Sequence, residues 1–296
     1  MDNRRLVFGS DAILLLTAAL WGVGFTAQRS GMDYLSPFTF NSFRFFLGGI
    51  SLIPLLLWLP SSALPESTAH ARDKPWKELR AGVVCGLVLF LGAAFQQIGI
   101  VSTEAGKAGF ISGLYVIGVP VIGLLWNQRP GRMIWIGAGL AVVGMYKLSV
   151  RDGFTIARGD LLVLISALFW AVHVQIIGYY SMRFQAIRLA FIQFMVCAIL
   201  NFVVALAMES FTWSDILAAW KPILYSGIAS IGIAHTLQII AQRHSPPSHA
   251  AILMSMEAVF AVLAGWLFLG EVLDASSMTG CAFMFTGMIL SQLRRG

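Results

Sequence analysis

Two ionisable residues stand inside long apolar runs, where a charge is costly and has few chemical uses. Glu257 lies near the middle of the run 247–269, and Arg44 lies within the run 37–59. Ionisable side chains inside membrane spans usually face a cavity or a partner. Glu257 could therefore carry a proton within the physiological pH range, or it could hydrogen-bond another helix or pair with Arg44. The sequence leaves both roles open.

The two basic candidates differ in what they could bind. Arg44 always carries its charge and offers five donors, so it could hold a substrate carboxylate with two bonds or fasten backbone carbonyls. Its place near the outer end of its run favours the structural role. Lys107 lies at the start of the apolar run 106–126, three residues after Glu104, in a Gly-rich stretch. It could meet an anionic group entering from outside, or it could snorkel and pair with Glu104.

Aromatic and amide side chains on other apolar runs could surround a small molecule. Trp21 and Trp170 could stack on a flat group or hold a cation, although packing is the common role of tryptophan in a membrane. His173 follows Trp170 by three residues on the same helical face and could shuttle a proton or bond a neighbouring helix. The uncharged polar candidates are Gln96, Gln97, Ser112, Tyr115, His235 and Gln238. This mixture suits a zwitterionic or neutral polar metabolite.

The elements that must position these residues follow from composition. The 296 residues are 58% hydrophobic and 11% charged, with a mean hydropathy of +0.79, whereas about a quarter of a soluble chain is charged. Continuous apolar runs favour helices over barrel strands, which predicts an all-α integral membrane protein. Ten segments are long enough to cross a bilayer: 11–29, 37–59, 81–102, 106–126, 133–150, 160–180, 186–207, 221–242, 247–269 and 276–293.

The sequence pattern occurs twice. Asp11, five apolar residues and Trp21 are matched by Asp160, five apolar residues and Trp170, an offset of 149 residues. Five spans per half is an odd number, so the second half would enter the membrane from the opposite side. The sequence therefore predicts two inverted five-helix repeats, residues 1–150 and 151–296, which together form one transport domain.

Glycines with the same spacing occur in the last predicted span of each repeat. Gly137 and Gly144 in the first half correspond to Gly280 and Gly287 in the second. Small residues seven apart lie on one helical face and let membrane helices approach closely. We expect these four glycines to serve helix packing.

Basic residues predict how the chain is oriented. With the N-terminus inside, the inner segments hold 13 Lys and Arg residues and the outer segments hold 6. By the positive-inside rule both termini should be cytoplasmic, and the expected location is the bacterial cytoplasmic (inner) membrane. The basic residues are scattered in short runs rather than gathered on one face, which argues against a nucleic-acid partner.

Motifs for enzymatic chemistry are missing from the sequence. It contains no HExxH, GxSxG or GxxxxGK[ST]. The three cysteines show no metal-ligand spacing, and the two histidines of 244–249 flank two prolines, as expected of a loop. We expect no catalytic residue, metal or cofactor. A membrane-embedded enzyme acting on lipid head groups is the alternative, and a purely structural membrane protein is a third.

Two segments resemble a known family. The segment 103–116 with Pro120 behind it, and the segment 251–259 with 269–271 behind it, are similar to the fourth and ninth helices of ten-helix transporters of the drug/metabolite transporter superfamily, of the EamA type. The resemblance implies inverted five-helix repeats around a central cavity and substrates among amino acids, metabolites or drugs.

The chain departs from the family pattern at two positions. Ala258 replaces the usual proline after the ninth-helix glutamate, which leaves open whether the ninth helix is broken there. Gln128 replaces the usual glutamate after the fourth helix.

Taken together, these features predict a secondary transporter that works by alternating access. It would be an exporter of a small polar or amphipathic metabolite, such as an amino acid, driven by protons or by the substrate gradient. The expected partners are that substrate, membrane lipid and protons, and the sequence leaves the oligomeric state open, a monomer included. Glu257 and Arg44 are predicted to serve proton coupling or gating. The predicted substrate-binding residues are Trp21, Gln97, Lys107, Ser112, Tyr115, Trp170, His173, His235 and Gln238.

Overall fold

The computed structural model describes residues 3–58, 75–103, 105–149, 157–269 and 275–292, and within these ranges the chain forms helices and no strands. The prediction of an all-helical membrane protein is confirmed. The helices are α1 (Asn3–Gly31), α2 (Pro37–Ser51), α3 (Ile53–Trp58), α4 (Pro75–Ile100), α5 (Ala105–Gly113), α6 (Tyr115–Leu125), α7 (Arg132–Ser149), α8 (Arg158–Ser181), α9 (Ala186–Met208), α10 (Trp213–Ala218), α11 (Trp220–Leu224), a π-helix (Tyr225–His235), α12 (Thr236–Ala241), α13 (Pro247–Met254), α14 (Glu257–Leu269) and α15 (Ala275–Gln292).

Each of the ten predicted spans coincides with a helix or with consecutive helices. In the described part of the chain, seven of these segments are both long and apolar enough to cross a membrane, and two shorter apolar segments cover Pro247–Leu263 and Met278–Ser291. The first helix is longer than the predicted span, because α1 begins at Asn3. The boundary between repeats at residue 150 lies in a segment outside the described residues and stays a prediction.

Helix packing follows a twofold pattern. α2 packs on α9 and α7 packs on α15, so each of these spans meets its own counterpart from the other repeat. α8 packs on α4, α5 and α6, and its counterpart α1 packs in the same way on the π-helix, α13 and α14. This arrangement is what two repeats related by a twofold axis in the membrane produce.

The fourth and ninth spans are interrupted at matching positions. Leu114 separates α5 from α6, and Ser255 and Met256 separate α13 from α14. The ninth-span break is therefore present although Ala258 replaces the proline. Its backbone tightens locally: the Met256 amide donates to the Leu253 carbonyl at 3.2 Å, three residues back. Tyr115 and Glu257 consequently hold the same place, the first residue of the second half-helix.

Glycine backbones touch where α7 crosses α15. A side chain added at Gly137 would begin 2.7 Å from the Gly287 carbonyl oxygen, and one added at Gly144 would begin 2.6 Å from the Gly280 carbonyl oxygen. The two contacts are each other's repeat equivalents. The predicted packing role of these glycines is thus realised as direct contact between backbones.

Replacing Gly287 with Val should lower the free energy of unfolding by about 1–3 kcal/mol, because the new side chain would overlap the Gly137 carbonyl. Thermal unfolding in detergent measures this change. Gly139→Val is the matched control, since no atom lies within 4 Å of a side chain added there. Equal melting temperatures for the two variants would contradict the packing described here.

Candidate functional site

A cavity lies between the two repeats, at the level of the interrupted helices. It encloses about 530 Å³ of space free of protein atoms, counted out to its open side. The first, second, third, fourth, sixth, eighth and ninth spans all contribute to its wall. Eight predicted site residues line it: Trp21, Arg44, Ser112, Tyr115, Trp170, His235, Gln238 and Glu257.

Three predicted site residues do not line this cavity. The Gln97 amide turns away and donates to the Gln28 carbonyl at 3.3 Å. His173 shares a hydrogen bond of 2.9 Å with Gln193 behind the wall. Lys107 forms an ion pair with Asp160, 2.6 Å away. Glu104, the pairing partner considered from the sequence, lies outside the described residues.

Gln96, next to the predicted Gln97, organises one wall of the cavity. Its Oε1 accepts hydrogen bonds from the Trp170 indole at 2.7 Å and the Ser112 hydroxyl at 3.2 Å. Its Nε2 donates to the Gln28 Oε1 at 3.1 Å. One amide thus ties together four spans. Sequence periodicity does not separate the two glutamines, because the stripes that lead to them, 84, 88 and 92 for Gln96 and 85, 89 and 93 for Gln97, contain no polar residue.

The π-helix builds a neighbouring part of the wall, where the His235 ring lies 5.9 Å from the Trp170 ring, measured between centroids. The Trp21 indole donates to the Ser230 carbonyl at 3.1 Å, and His235 Nδ1 lies 2.9 Å from the same oxygen. Trp21 and His235 Nδ1 are also 3.2 Å apart, but one nitrogen cannot donate and accept at once. A proton on Nδ1 lets both groups donate to Ser230. The buried Nε2 of His235, which has no partner among the described residues, is then an acceptor.

Arg44 brings a permanent positive charge to the cavity. The residue is only 2% exposed, and its guanidinium lies over the Phe45 ring, 4.9 Å from the centroid. Nε donates to Asn41 at 2.8 Å, and Asn41 in turn donates to the Ala93 carbonyl at 3.1 Å. No carboxylate of the described residues lies within 4 Å of the guanidinium, so the proposed pair with Glu257 is not formed.

Glu257 brings the carboxyl group. The residue is 4% exposed and begins α14, where backbone amides of the first turn point toward the interruption. Tyr115, its repeat equivalent, is its neighbour, and the Tyr115 hydroxyl has no hydrogen-bond partner of normal geometry in the described part of the chain. The site therefore offers a carboxyl and a guanidinium that are not neutralised by each other.

Comparison with known proteins identifies the family. The model of the EamA-like transporter family matches residues 9–150 and again residues 157–293. The chain belongs to the EamA-like transporter family. The two matches fall on the two halves of the structure, and the resemblance seen in the sequence is confirmed.

Relatives from archaea and bacteria share nearly the full length. An "Uncharacterized transporter" of Archaeoglobus fulgidus is 31% identical over 287 residues, covering 96% of this chain and 86% of the relative. "Uncharacterized transporter YwfM" of Bacillus subtilis (strain 168) is 24% identical, covering 94% and 91%. A solved crystal structure shares the fold with a TM-score of 0.77 at 19% identity, covering 96% of each chain.

Family membership establishes the general activity. This EamA-like protein is a multi-pass membrane transporter for a small molecule. The family and its relatives, named as transporters, do not favour the alternative of an enzyme acting on lipid head groups.

Replacing Gln96 with Met should lower the free energy of unfolding by about 1–3 kcal/mol, because the Trp170 indole and the Ser112 hydroxyl lose their acceptor. Thermal unfolding in detergent measures it. In a double-mutant cycle with Trp170→Phe, which removes the indole donor, the two losses should not add. Fully additive losses would show that this hydrogen bond does not form.

Proposed function

We propose that this EamA-like protein is a proton-coupled exporter of small zwitterionic metabolites, amino acids and related compounds, and that it works by alternating access. The observation that carries the proposal is the cavity itself, which presents Arg44 and Glu257 without pairing them. The assigned binding residues are those of the cavity wall. Gln97, His173 and Lys107 are not assigned to the substrate.

The charges of the cavity fit a zwitterion. A substrate carboxylate can take the donors of Arg44 that Asn41 does not use, with the strength of a charge-assisted bond. A substrate ammonium can donate to Glu257 and to two buried acceptors without partners in the described residues, Gln238 Oε1 and His235 Nε2. Trp21 and Trp170 supply apolar faces for the rest of the molecule.

A purely cationic substrate, such as a polyamine, fits the cavity less well. Arg44 would repel it at short range in a medium that screens charge weakly. Removing that repulsion would require a further anion, and the described wall residues offer only Glu257. A carboxylate on the substrate resolves the conflict, because it neutralises Arg44 directly.

Glu257 links the substrate to protons. A buried carboxylate without a cation is unfavourable, so Glu257 holds a proton when the cavity is empty of substrate. An arriving ammonium supplies the counter-charge and releases that proton. Glu257 thus binds either a proton or the substrate ammonium but not both, as a proton–substrate antiporter requires. Protons entering the cell would drive the substrate out.

The remaining features of the proposal concern the setting. We place both termini in the cytoplasm and the protein in the cytoplasmic membrane, on the basis of the Lys and Arg asymmetry of the sequence. A monomer is sufficient, because both halves of the cavity come from one chain.

Glu257→Gln should abolish the stimulation of flux by a pH gradient, because an amide cannot exchange a proton. The measurement is amino-acid flux in proteoliposomes with and without the gradient. Asp33→Asn is the matched control, since it makes the same chemical change at an exposed ion pair. Undiminished gradient-driven flux in Glu257→Gln would exclude Glu257 as the carrier.

Arg44→Gln should weaken the binding of carboxylate-bearing ligands about tenfold or more, because it removes the charge that pairs with the carboxylate. Ligand-induced thermal shifts with matched pairs of amino acids and their amides measure this effect. The parent should prefer the amino acid and the variant should not. A variant that keeps the parent's preference would refute the role of Arg44.

A further inference from the structure

Two contacts between an aspartate and a basic side chain link helices of the bundle. Lys107 Nζ lies 2.6 Å from Asp160 Oδ2, where α5 meets α8. His249 Nε2 lies 3.1 Å from Asp11 Oδ1, where α13 meets α1. The side chains are largely shielded from solvent: 21% and 3% exposed in the first pair, 2% and 12% in the second.

The two pairs are repeat equivalents of each other. Asp160 follows Asp11 by 149 residues, the offset that also relates Trp170 to Trp21. His249 follows Lys107 by 142 residues, the offset that also relates Glu257 to Tyr115. Because the repeats are inverted, one pair must lie toward each face of the membrane. Each aspartate is ten residues, or about 15 Å, from the cavity tryptophan on its own helix.

Each pair is also held in place by further bonds. Asp160 accepts a hydrogen bond from the Thr103 hydroxyl at 3.0 Å and one from the Ala157 amide at 2.7 Å. On the other side, His249 Nδ1 lies 3.2 Å from the Ser291 hydroxyl of α15. The aspartates are thus fixed on α8 and α1, and their partners arrive from the half-helices that precede the interruptions.

The energetics of such pairs suit a closure that must also open. A buried ion pair adds little net stability, since desolvation offsets much of the attraction, yet removing one partner is costly. Water entering an opened end would solvate the parted side chains and replace their attraction. Closed and solvated states can therefore lie close in free energy.

We propose that Lys107–Asp160 and Asp11–His249 are the two gates of the transporter, and that one parts while the other stays closed. This inference rests on the alternating access of the proposed function. Each gate joins a first or sixth span to the half-helix of the fourth or ninth span that leads to the cavity. Parting a gate opens a path from one face of the membrane to Ser112 and Glu257.

Sided labelling of a cavity cysteine tests this proposal without any substrate. The reporter is Ser112→Cys in a Cys281→Ala background, in which Cys85 and Cys197 are fully buried. A charged, membrane-impermeant methanethiosulfonate reagent is added to right-side-out or inside-out vesicles. Asp160→Asn should raise the labelling rate from one face roughly tenfold, and Asp11→Asn should raise it from the opposite face.

The control variants separate gating from general loosening. Asp33→Asn breaks an exposed ion pair and should change neither rate. Exchanging the charges by Lys107→Asp with Asp160→Lys should return the rate toward the parent. Labelling of the buried Cys85 shows that a variant has not folded. If an aspartate variant does not fold, Lys107→Gln or His249→Gln removes the partner side chain of the same pair instead.

Opposite sidedness for the two pairs supports the proposal. Increases from the same face, equal increases from both faces, or no increase would overturn it. The outcome is independent of Glu257 and of proton coupling, because labelling needs neither flux nor a gradient. If labelling does not differ between the two faces but gradient-driven flux is intact, the gates are refuted and the proposed function stands. If labelling differs between the faces but a pH gradient drives no flux, the gates stand and proton-coupled export is refuted.

Discussion

Arg44 imposes the constraint on which the rest of the site depends. Its charge is permanent, the surrounding helices face lipid, and no described carboxylate neutralises it. A charge in this position must face a cavity or a ligand. Asn41 fixes the guanidinium by one nitrogen, and the Phe45 ring supports it from one side. The remaining donors are available to a bound molecule, which is the role that we propose for them.

The interrupted helices explain how such polar groups are reached. A continuous helix satisfies its own backbone hydrogen bonds and leaves no backbone group free for a polar solute. Leu114 and the Ser255–Met256 turn interrupt two spans at equivalent levels, and the π-helix widens a third. Tyr115, Glu257 and His235 all stand at the ends of these irregular segments. Irregular backbone is thus concentrated where it lines the cavity.

Apolar run lengths predicted the ten spans, and the odd number per half predicted the inverted repeats, because lipid leaves few other solutions for a chain of this composition. Contacts between distant segments were harder to predict. Lys107 binds Asp160, which lies 53 residues away in the sequence. Gln96 and Gln97 differ only in which face of α4 they occupy. The π-helix left no signal in the sequence, since its residues would suit an ordinary helix equally well.

The glycine contacts between α7 and α15 bear on how the two halves can diverge. Gly137 meets Gly287 and Gly144 meets Gly280 across the symmetry axis, so a larger residue in one half is obstructed by the backbone of the other. Neither copy can drift independently here. At other equivalent positions the two copies have diverged: residue 44 is arginine and residue 193 is glutamine, while residue 115 is tyrosine and residue 257 is glutamate. The two halves of a duplicated chain can therefore differ in the residues that line the cavity, while the glycine contacts between α7 and α15 keep those two helices alike.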